Sequence, residues 1–273
     1  WQALIDPATD WREAEFTAAA TLRAEPRRTL LALSTALEGR SVDPADPDRT
    51  AYRERFEAAE SAHWSLVEAA REESSFEGAV VPSVLAELPE RAAVFASNSM
   101  PVRDLDRFAR PDDRSLRAFA NRGASGIDGV TSSALGAASA GEEPLVAILG
   151  DLAFYHDMNG LLAARRCGVD ATIVLVNNDG GGIFHALPIE SFDPPFTEAF
   201  KTPHGLDFEP SGDLYGLDYE RVDSLDDLGA ACARSIGSDG VGVVECRFDA
   251  ETSHRTRESL RKRLADRIAD RDR

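Results

Sequence analysis

The sequence predicts an α/β fold: an open, mostly parallel sheet with helices on both faces, preceded by part of another domain. Three observations carry this. Short apolar runs at residues 93–97, 116–120, 145–149, 171–176 and 242–248 alternate with longer segments of helical periodicity. Two of them, 145–149 and 171–176, enclose a single crossover and end in Gly150-Asp151 and in Asn177-Asn178-Asp179, as parallel strands joined by a helix do. Residues 1–50, by contrast, hold only short pieces, too small to make a core of their own.

In order, residues 11–22 and 27–37 read as two helical pieces separated by the breaker Pro26. Residues 41–50 are rich in Pro and Asp and read as a linker. A charged helix follows over 52–73, with Phe56, Ala59, His63, Leu66 and Ala70 on one stripe. This gives three regions: 1–50 as domain tail and linker, 51–75 as a connecting helix, and 76–273 as the main domain. Ser74-Ser75 ahead of Glu77 reads as the N-cap of a helix to Leu88 that contains Pro82. The run 93–97 is a first strand delivering Asn98, Ser99 and Arg103 to its end, and 116–120 a second ending at Asn121-Arg122-Gly123. Residues 127–140 form a helix of small residues. Residues 190–213 carry Pro194, Pro195 and Pro203 and read as a long irregular loop with at most a turn at 196–200. Strands at 219–222 and 242–248 flank a helix over 225–236, and 252–273 is a terminal helix of alternating charge, read as a solvated surface.

The composition excludes several function classes. A formal net charge of −18 disfavours nucleic acid and anionic membranes as partners. No apolar run approaches the length of a membrane span, and the absence of a leader predicts a cytoplasmic protein. The chain opens at Trp1 without an initiator Met and is expected to be a piece of a longer protein. Cys167, Cys232 and Cys246 form no disulfide or metal pattern and are expected to be buried free thiols. Asp and Glu predominate, and of 30 basic residues only Lys201 and Lys262 are lysine. That suits a protein kept soluble in high salt, where screening removes self-repulsion, and predicts a halophilic source. A base composition favouring Arg codons explains the scarce lysine but explains the net charge less well.

The candidate site follows from the crossover. Right-handed connection of parallel strands brings Asp151 and Asn178, 27 residues apart, to the same carboxyl edge on neighbouring strands. A carboxylate and a carboxamide together are hard oxygen ligands, suited to Mg²⁺ held against a phosphate. Gly180 to Gly182 would let backbone approach that phosphate closely.

Gly-Asp, about thirty residues, then Asn-Asn resembles the thiamine-diphosphate signature. With SNSMPVRDLD (97–106), NRGASGIDG (121–129) and GGGIFHALP (180–188), residues 76–248 resemble the 2-succinyl-5-enolpyruvyl-6-hydroxy-3-cyclohexene-1-carboxylate synthase family of menaquinone biosynthesis. That resemblance implies a thiamine-diphosphate-dependent transferase that decarboxylates 2-oxoglutarate and adds the succinyl carbanion to isochorismate. It makes residues 1–50 the tail of the family's central domain. It implies Mg²⁺, or Mn²⁺, on Asp151, Asn178 and the Gly180 carbonyl; a cofactor lined by Ile127, Gly150, Leu152, Ala153, Ile183 and Phe184; and substrate contacts from Ser99, Arg103 and Arg122. Arg suits dicarboxylate substrates because its guanidinium binds planar anions at two points. The activating Glu lies in a pyrimidine-binding domain outside this chain and comes from a neighbouring subunit. The resemblance therefore implies a homodimer or homotetramer and an inactive isolated fragment. His156, His185 and His204 are given no catalytic role, and Lys201 is placed near the site from the long loop.

Three other readings compete. A nucleotide-binding dehydrogenase would need a Gly-x-Gly-x-x-Gly turn opening a helix, which NRGASGID does not supply. Another thiamine-dependent decarboxylase or acetolactate-type enzyme would share Gly-Asp and Asn-Asn but not the flanking motifs. A non-catalytic cofactor-binding domain would keep the metal residues.

Overall fold

The structure, a computed structural model, describes residues 1–8, 10, 15–40, 47–124 and 126–271. The chain divides into two compact units, Trp1–Glu57 and Ala58–Arg273. In the first, strands β1 (Ala3–Ile5) and β2 (Ala20–Leu22) pair in parallel, and helix α1 (Pro26–Leu37) follows. The helical expectation for 11–22 fails at its end, because Ala20–Leu22 takes backbone partners from β1; residues 11–14 lie outside the described residues. Pro26 opens α1 rather than breaking a helix. It needs no N–H in the first turn, and the Glu25 carboxylate accepts from the amides of Arg27 and Arg28. The expected linker shortens too: α2 (Pro47–Glu73) already includes residues 47–50, and 41–46 are not described. Of the stripe predicted on α2, Leu66 and Ala70 are buried whereas Phe56 is exposed.

The second unit is built on a six-stranded sheet of β3 (Arg91–Ala96), β4 (Ser115–Phe119), β5 (Leu145–Gly150), β6 (Ala171–Asn177), β7 (Asp218–Val222) and β8 (Val241–Arg247). Its order is β4-β3-β5-β6-β8-β7, and every pairing is parallel. Alternate residues of the central strands feed two cores. Val94, Val146, Ile148, Val174 and Val244 face one side, with α2, α3 (Val80–Ala86) and α9 (Leu225–Ile236). Phe95, Ala147, Leu149, Ile173 and Val243 face the other, with α5 (Val130–Ala140), α6 (Asp151–Asp157) and α7 (Leu161–Cys167). Strands covered on both faces read as unbroken apolar runs, which is why they were visible in the sequence. The chain winds outward from β3 to β4, then returns past β3 to β5, so the order reverses between β3 and β5 and leaves a crevice at their carboxyl ends.

Several local expectations change. Ser74 does not cap a helix: its hydroxyl bonds back to the Ala70 carbonyl, and a 3₁₀ turn at Glu77–Ala79 leads into α3. The helix expected from residue 127 starts at Val130, after Gly129 at φ +65°, which leaves Ile127 in a loop. The crossover helix is broken by a 3₁₀ turn at Met158–Gly160, where the Asp157 carboxylate bonds the amide and hydroxyl of Ser132 on α5. A helical turn at Pro188–Ser191 leads into the long loop, which contains a π turn at Thr197–Lys201 and runs into helix α8 (Pro210–Tyr215). The terminal helix α10 (Ala250–Arg271) is not simply solvated, since Ser253, Arg257 and Leu260 are buried. Cys232 and Cys246 are buried as expected, whereas Cys167 is exposed.

Candidate active site

A cavity of about 460 Å³ opens at the carboxyl ends of β3, β5 and β6. All twelve residues singled out from the sequence line it: Ser99, Arg103, Arg122, Ile127, Gly150, Asp151, Leu152, Ala153, Asn178, Gly180, Ile183 and Phe184. The topology explains the convergence. Gly150 pairs with Val176, so Asp151 and Asn178 leave adjacent parallel strands almost level.

Asp151 is 2 % exposed. Its Oδ2 accepts from the amides of Asn178 (3.1 Å) and Gly180 (2.9 Å), and its Oδ1 from the Leu152 amide (2.7 Å). The carboxylate thus ties the Asn178–Gly180 turn to the start of α6, and one of the two amides expected at the phosphate is engaged by Asp151. Asn178 donates from Nδ2 to Glu77 Oε1 at 2.8 Å, while its Oδ1 is buried with no hydrogen-bond partner. A buried carboxamide oxygen left unpaired is costly. Among the described residues four buried side-chain atoms lack partners, and only Asn178 belongs to a residue lining this cavity. One orphaned oxygen, one carboxylate oxygen bonded to a single amide, and the Gly180 carbonyl form a donor set of hard oxygens that fits a divalent cation such as Mg²⁺.

The three glycines serve packing as much as approach. Gly180 sits at φ +127°, and a Cβ there would run into the Lys201 carbonyl; one on Gly181 would come within 2.5 Å of the Phe200 carbonyl. The π turn therefore lies directly on the turn that carries Asn178. Lys201 donates to the carbonyls of Asn178 (2.7 Å) and Asp179 (2.6 Å). Burial pulls its ammonium below the ordinary lysine range, against the attraction of Asp151 and Asp179. His204 joins the same layer: Leu206 donates to its Nδ1, so the ring proton lies on Nε2, 3.2 Å from Asp151 Oδ2.

The cationic side differs. Arg103 donates to the Ser99 carbonyl (2.6 Å) and Arg122 to Asn98 Oδ1 (3.1 Å). Neither forms an ion pair among the described residues, although Arg114, Arg221, Arg234 and Arg255 all do. Ser99 sits at φ +74°, strained for a residue with a side chain and held at the start of α4 (Met100–Phe108). His185 pairs with Glu190 (2.7 Å) away from this cavity, and His156 is exposed. Sequence reasoning brought Asn98 to this edge without giving it a role, and missed Glu77 and Asp104, which also line the cavity. Glu77 stood in what read as a helix cap, and nothing local marked it as an inward-facing acid.

A family model described as thiamine pyrophosphate enzyme, C-terminal TPP binding domain, matches residues 106–246. Proteins named 2-succinyl-5-enolpyruvyl-6-hydroxy-3-cyclohexene-1-carboxylate synthase are 52 % identical in Halobacterium salinarum and 51 % in Haloarcula marismortui, each over 98 % of this chain and 44 % of the relative. One from Roseiflexus sp. is 52 % identical over 78 % of this chain and 37 % of its own length. The chain thus spans less than half the length of these curated relatives. A benzoylformate decarboxylase structure from Polynucleobacter necessarius shares the fold at TM-score 0.51 and 23 % identity, covering 64 % of this chain and 33 % of that one. The chain belongs to the thiamine pyrophosphate enzymes, through their C-terminal cofactor-binding domain.

Proposed function

We propose that this member of the thiamine pyrophosphate enzymes acts as the diphosphate-binding part of a 2-succinyl-5-enolpyruvyl-6-hydroxy-3-cyclohexene-1-carboxylate synthase. The reaction is decarboxylation of 2-oxoglutarate and joining of the succinyl unit to isochorismate, with release of CO₂. The observation that carries the reading is the Asn178 Oδ1 beside Asp151, unpaired among the described residues, in a cavity that also holds two arginines with no acid partner among those residues. The names of the relatives agree with it.

In this reading Asp151, Asn178 and the Gly180 carbonyl hold Mg²⁺ or Mn²⁺ on the cofactor's diphosphate, with Gly150, Leu152 and Ala153 beside it. Ile127, Ile183 and Phe184 supply the apolar walls that support the cofactor and keep water out. Bound thiamine diphosphate supplies the nucleophilic carbon and the electron sink that decarboxylation of a 2-oxo acid requires. Arg103 and Arg122 bind substrate carboxylates, oriented by the Ser99 carbonyl and Asn98 respectively, and Ser99 contacts the reacting substrate. The activating Glu comes from a pyrimidine-binding domain of a partner subunit, so the working protein is a homodimer or homotetramer. Residues 1–50 belong to the tail of a central domain, residues 51–75 connect, and 76–273 form the cofactor domain. The acidic, lysine-poor surface suits a cytoplasm of high salt.

The test is calorimetric titration of the whole protein with thiamine diphosphate, with and without Mg²⁺, followed by CO₂ release from 2-oxoglutarate with and without isochorismate. Mg²⁺-dependent binding and isochorismate-dependent product support the reading. Cofactor binding with turnover of pyruvate instead would favour an acetolactate-type enzyme, and no binding would end the reading.

A further inference from the structure

A carboxamide is nearly symmetric in shape, so a metal-binding Asn has to be told which end to present. If Asn178 turned by half a rotation, an N–H₂ donor would face the cation and one ligand would be lost. We propose that Glu77 is the positioning residue that sets this orientation, held in place by Arg257 of α10. The inference rests on the reading of Asn178 as a metal ligand.

Glu77 is 3 % exposed and its carboxylate can only accept hydrogen bonds. Its Oε1 lies 2.8 Å from Asn178 Nδ2, so the amide's donor end is committed to Glu77 and Oδ1 is turned away, where it has no protein partner. The opposite orientation would set Asn178 Oδ1 against a carboxylate oxygen. Gly182 leaves room for the committed end, since a Cβ there would come within 2.5 Å of Asn178 Nδ2. The other oxygen of Glu77, Oε2, accepts from Arg257 Nη2 at 2.9 Å, and Ser253, one turn earlier on α10, accepts from the Glu77 amide at 3.1 Å. Arg257 is in turn fixed by Asp104, whose Oδ1 accepts from Nε at 2.9 Å. Asp104 of α4, Arg257 of the terminal helix and Glu77 therefore form a buried line that ends on Asn178 at the metal side of the cavity. Two acids against one guanidinium leave that line with a formal charge of −1, which favours a cation at its open end.

A purely structural account would have Glu77 serve only to neutralise Arg257. An isosteric exchange separates the two. In Glu77→Gln the charged guanidinium retains the carbonyl oxygen, so the new amide faces Asn178, turns it round and points Nδ2 at the cation. Mg²⁺ affinity, measured by calorimetry in the thiamine-diphosphate-saturated whole protein, should fall roughly 10- to 100-fold, the usual cost of losing an outer-shell partner. Adding Asn178→Asp to Glu77→Gln should restore it, because the introduced carboxylate accepts from the introduced amide with one oxygen and offers the other to the metal. Gly182→Ala, which leaves Glu77 and Arg257 intact, should also weaken Mg²⁺ binding by displacing Nδ2, and carries the test if Glu77→Gln does not fold. A lowered melting temperature with wild-type Mg²⁺ affinity in Glu77→Gln overturns the inference, as does a double variant no better than the single. If the wild-type protein binds no Mg²⁺ with the cofactor, the metal reading itself falls, and this inference with it.

Discussion

Asp151 and Glu245 are both buried carboxylates near the carboxyl edge of the sheet, at 2 % and 0 % exposure, yet they sit in opposite kinds of surroundings. Glu245 on β8 is saturated: Asn177 Nδ2 (2.7 Å), Tyr219 Oη (2.9 Å), Arg221 Nε (2.6 Å) and Arg247 Nε (3.0 Å) all donate to it. Burial alone would push its carboxyl up, but these donors overcome that and hold it below the ordinary carboxylate range. Asp151 instead receives mainly backbone amides, beside an Asn oxygen with no partner and a cavity. Burial of a charge is common to both. What separates a site from a structural cluster is unspent hydrogen-bonding capacity facing open space.

Four measurements put that contrast at risk. Glu245→Ala should have the largest effect, about 2–6 kcal/mol of lost stability, because it strips the Asn177 amide and the Tyr219 hydroxyl of their buried acceptor, while Arg221 and Arg247 keep Asp207. Denaturant unfolding in concentrated KCl measures this, and the folded variant should keep its thiamine diphosphate affinity. A matching loss of affinity would make the two clusters one unit. Asp151→Ala should add a functional loss to a structural one: about 1–3 kcal/mol of stability as three amides lose their acceptor, and Mg²⁺-dependent cofactor binding weakened by more than roughly 100-fold, beyond the usual outer-shell cost. Unchanged calorimetric affinity would place the metal elsewhere.

Arg103→Lys and Arg122→Lys come next. Losing one charge-assisted bond to a substrate carboxylate costs about 1.5–3 kcal/mol, or roughly ten- to a hundred-fold in rate. If these arginines chiefly hold isochorismate, single-turnover CO₂ release should be spared more than product formation. Equal loss would assign them to 2-oxoglutarate or the cofactor, and no loss would make them surface charges.

The smallest effect is the acid limb of stability. The depressed folded pKa of Glu245 means that its contribution is complete above the unfolded value near 4.5 and is lost as pH falls through the folded one. Glu245→Gln should flatten this limb by about 1.4 kcal/mol for each pH unit by which the folded value is depressed. A limb of wild-type slope would show that the cluster does not hold its proton equilibrium as the hydrogen bonds imply.

Local pattern was enough to find the sheet and the strand-end residues. Parallel strands covered on both faces must be apolar throughout, and a single helical crossover must return Asp151 and Asn178 to one edge. Period and connection length, read within a short window, placed Asp151, Asn178 and Gly180; the resemblance to a known family supplied the other nine candidates, and all twelve line one cavity. Misjudged segments were those where distant partners outweigh local pattern. Ala20–Leu22 became a strand because β1 offered backbone partners. The terminal helix read as solvated because its charges alternate, and only the fold turns Arg257 inward to Asp104 and Glu77. Glu77 lies 101 residues before Asn178 and 180 before Arg257. No window of sequence spans such a set, and its hydrogen bonds exist only once packing has excluded the water that would otherwise satisfy each group separately. Which acid is saturated, and which oxygen is left facing the cavity, therefore follows from how the chain packs and from nothing short of it.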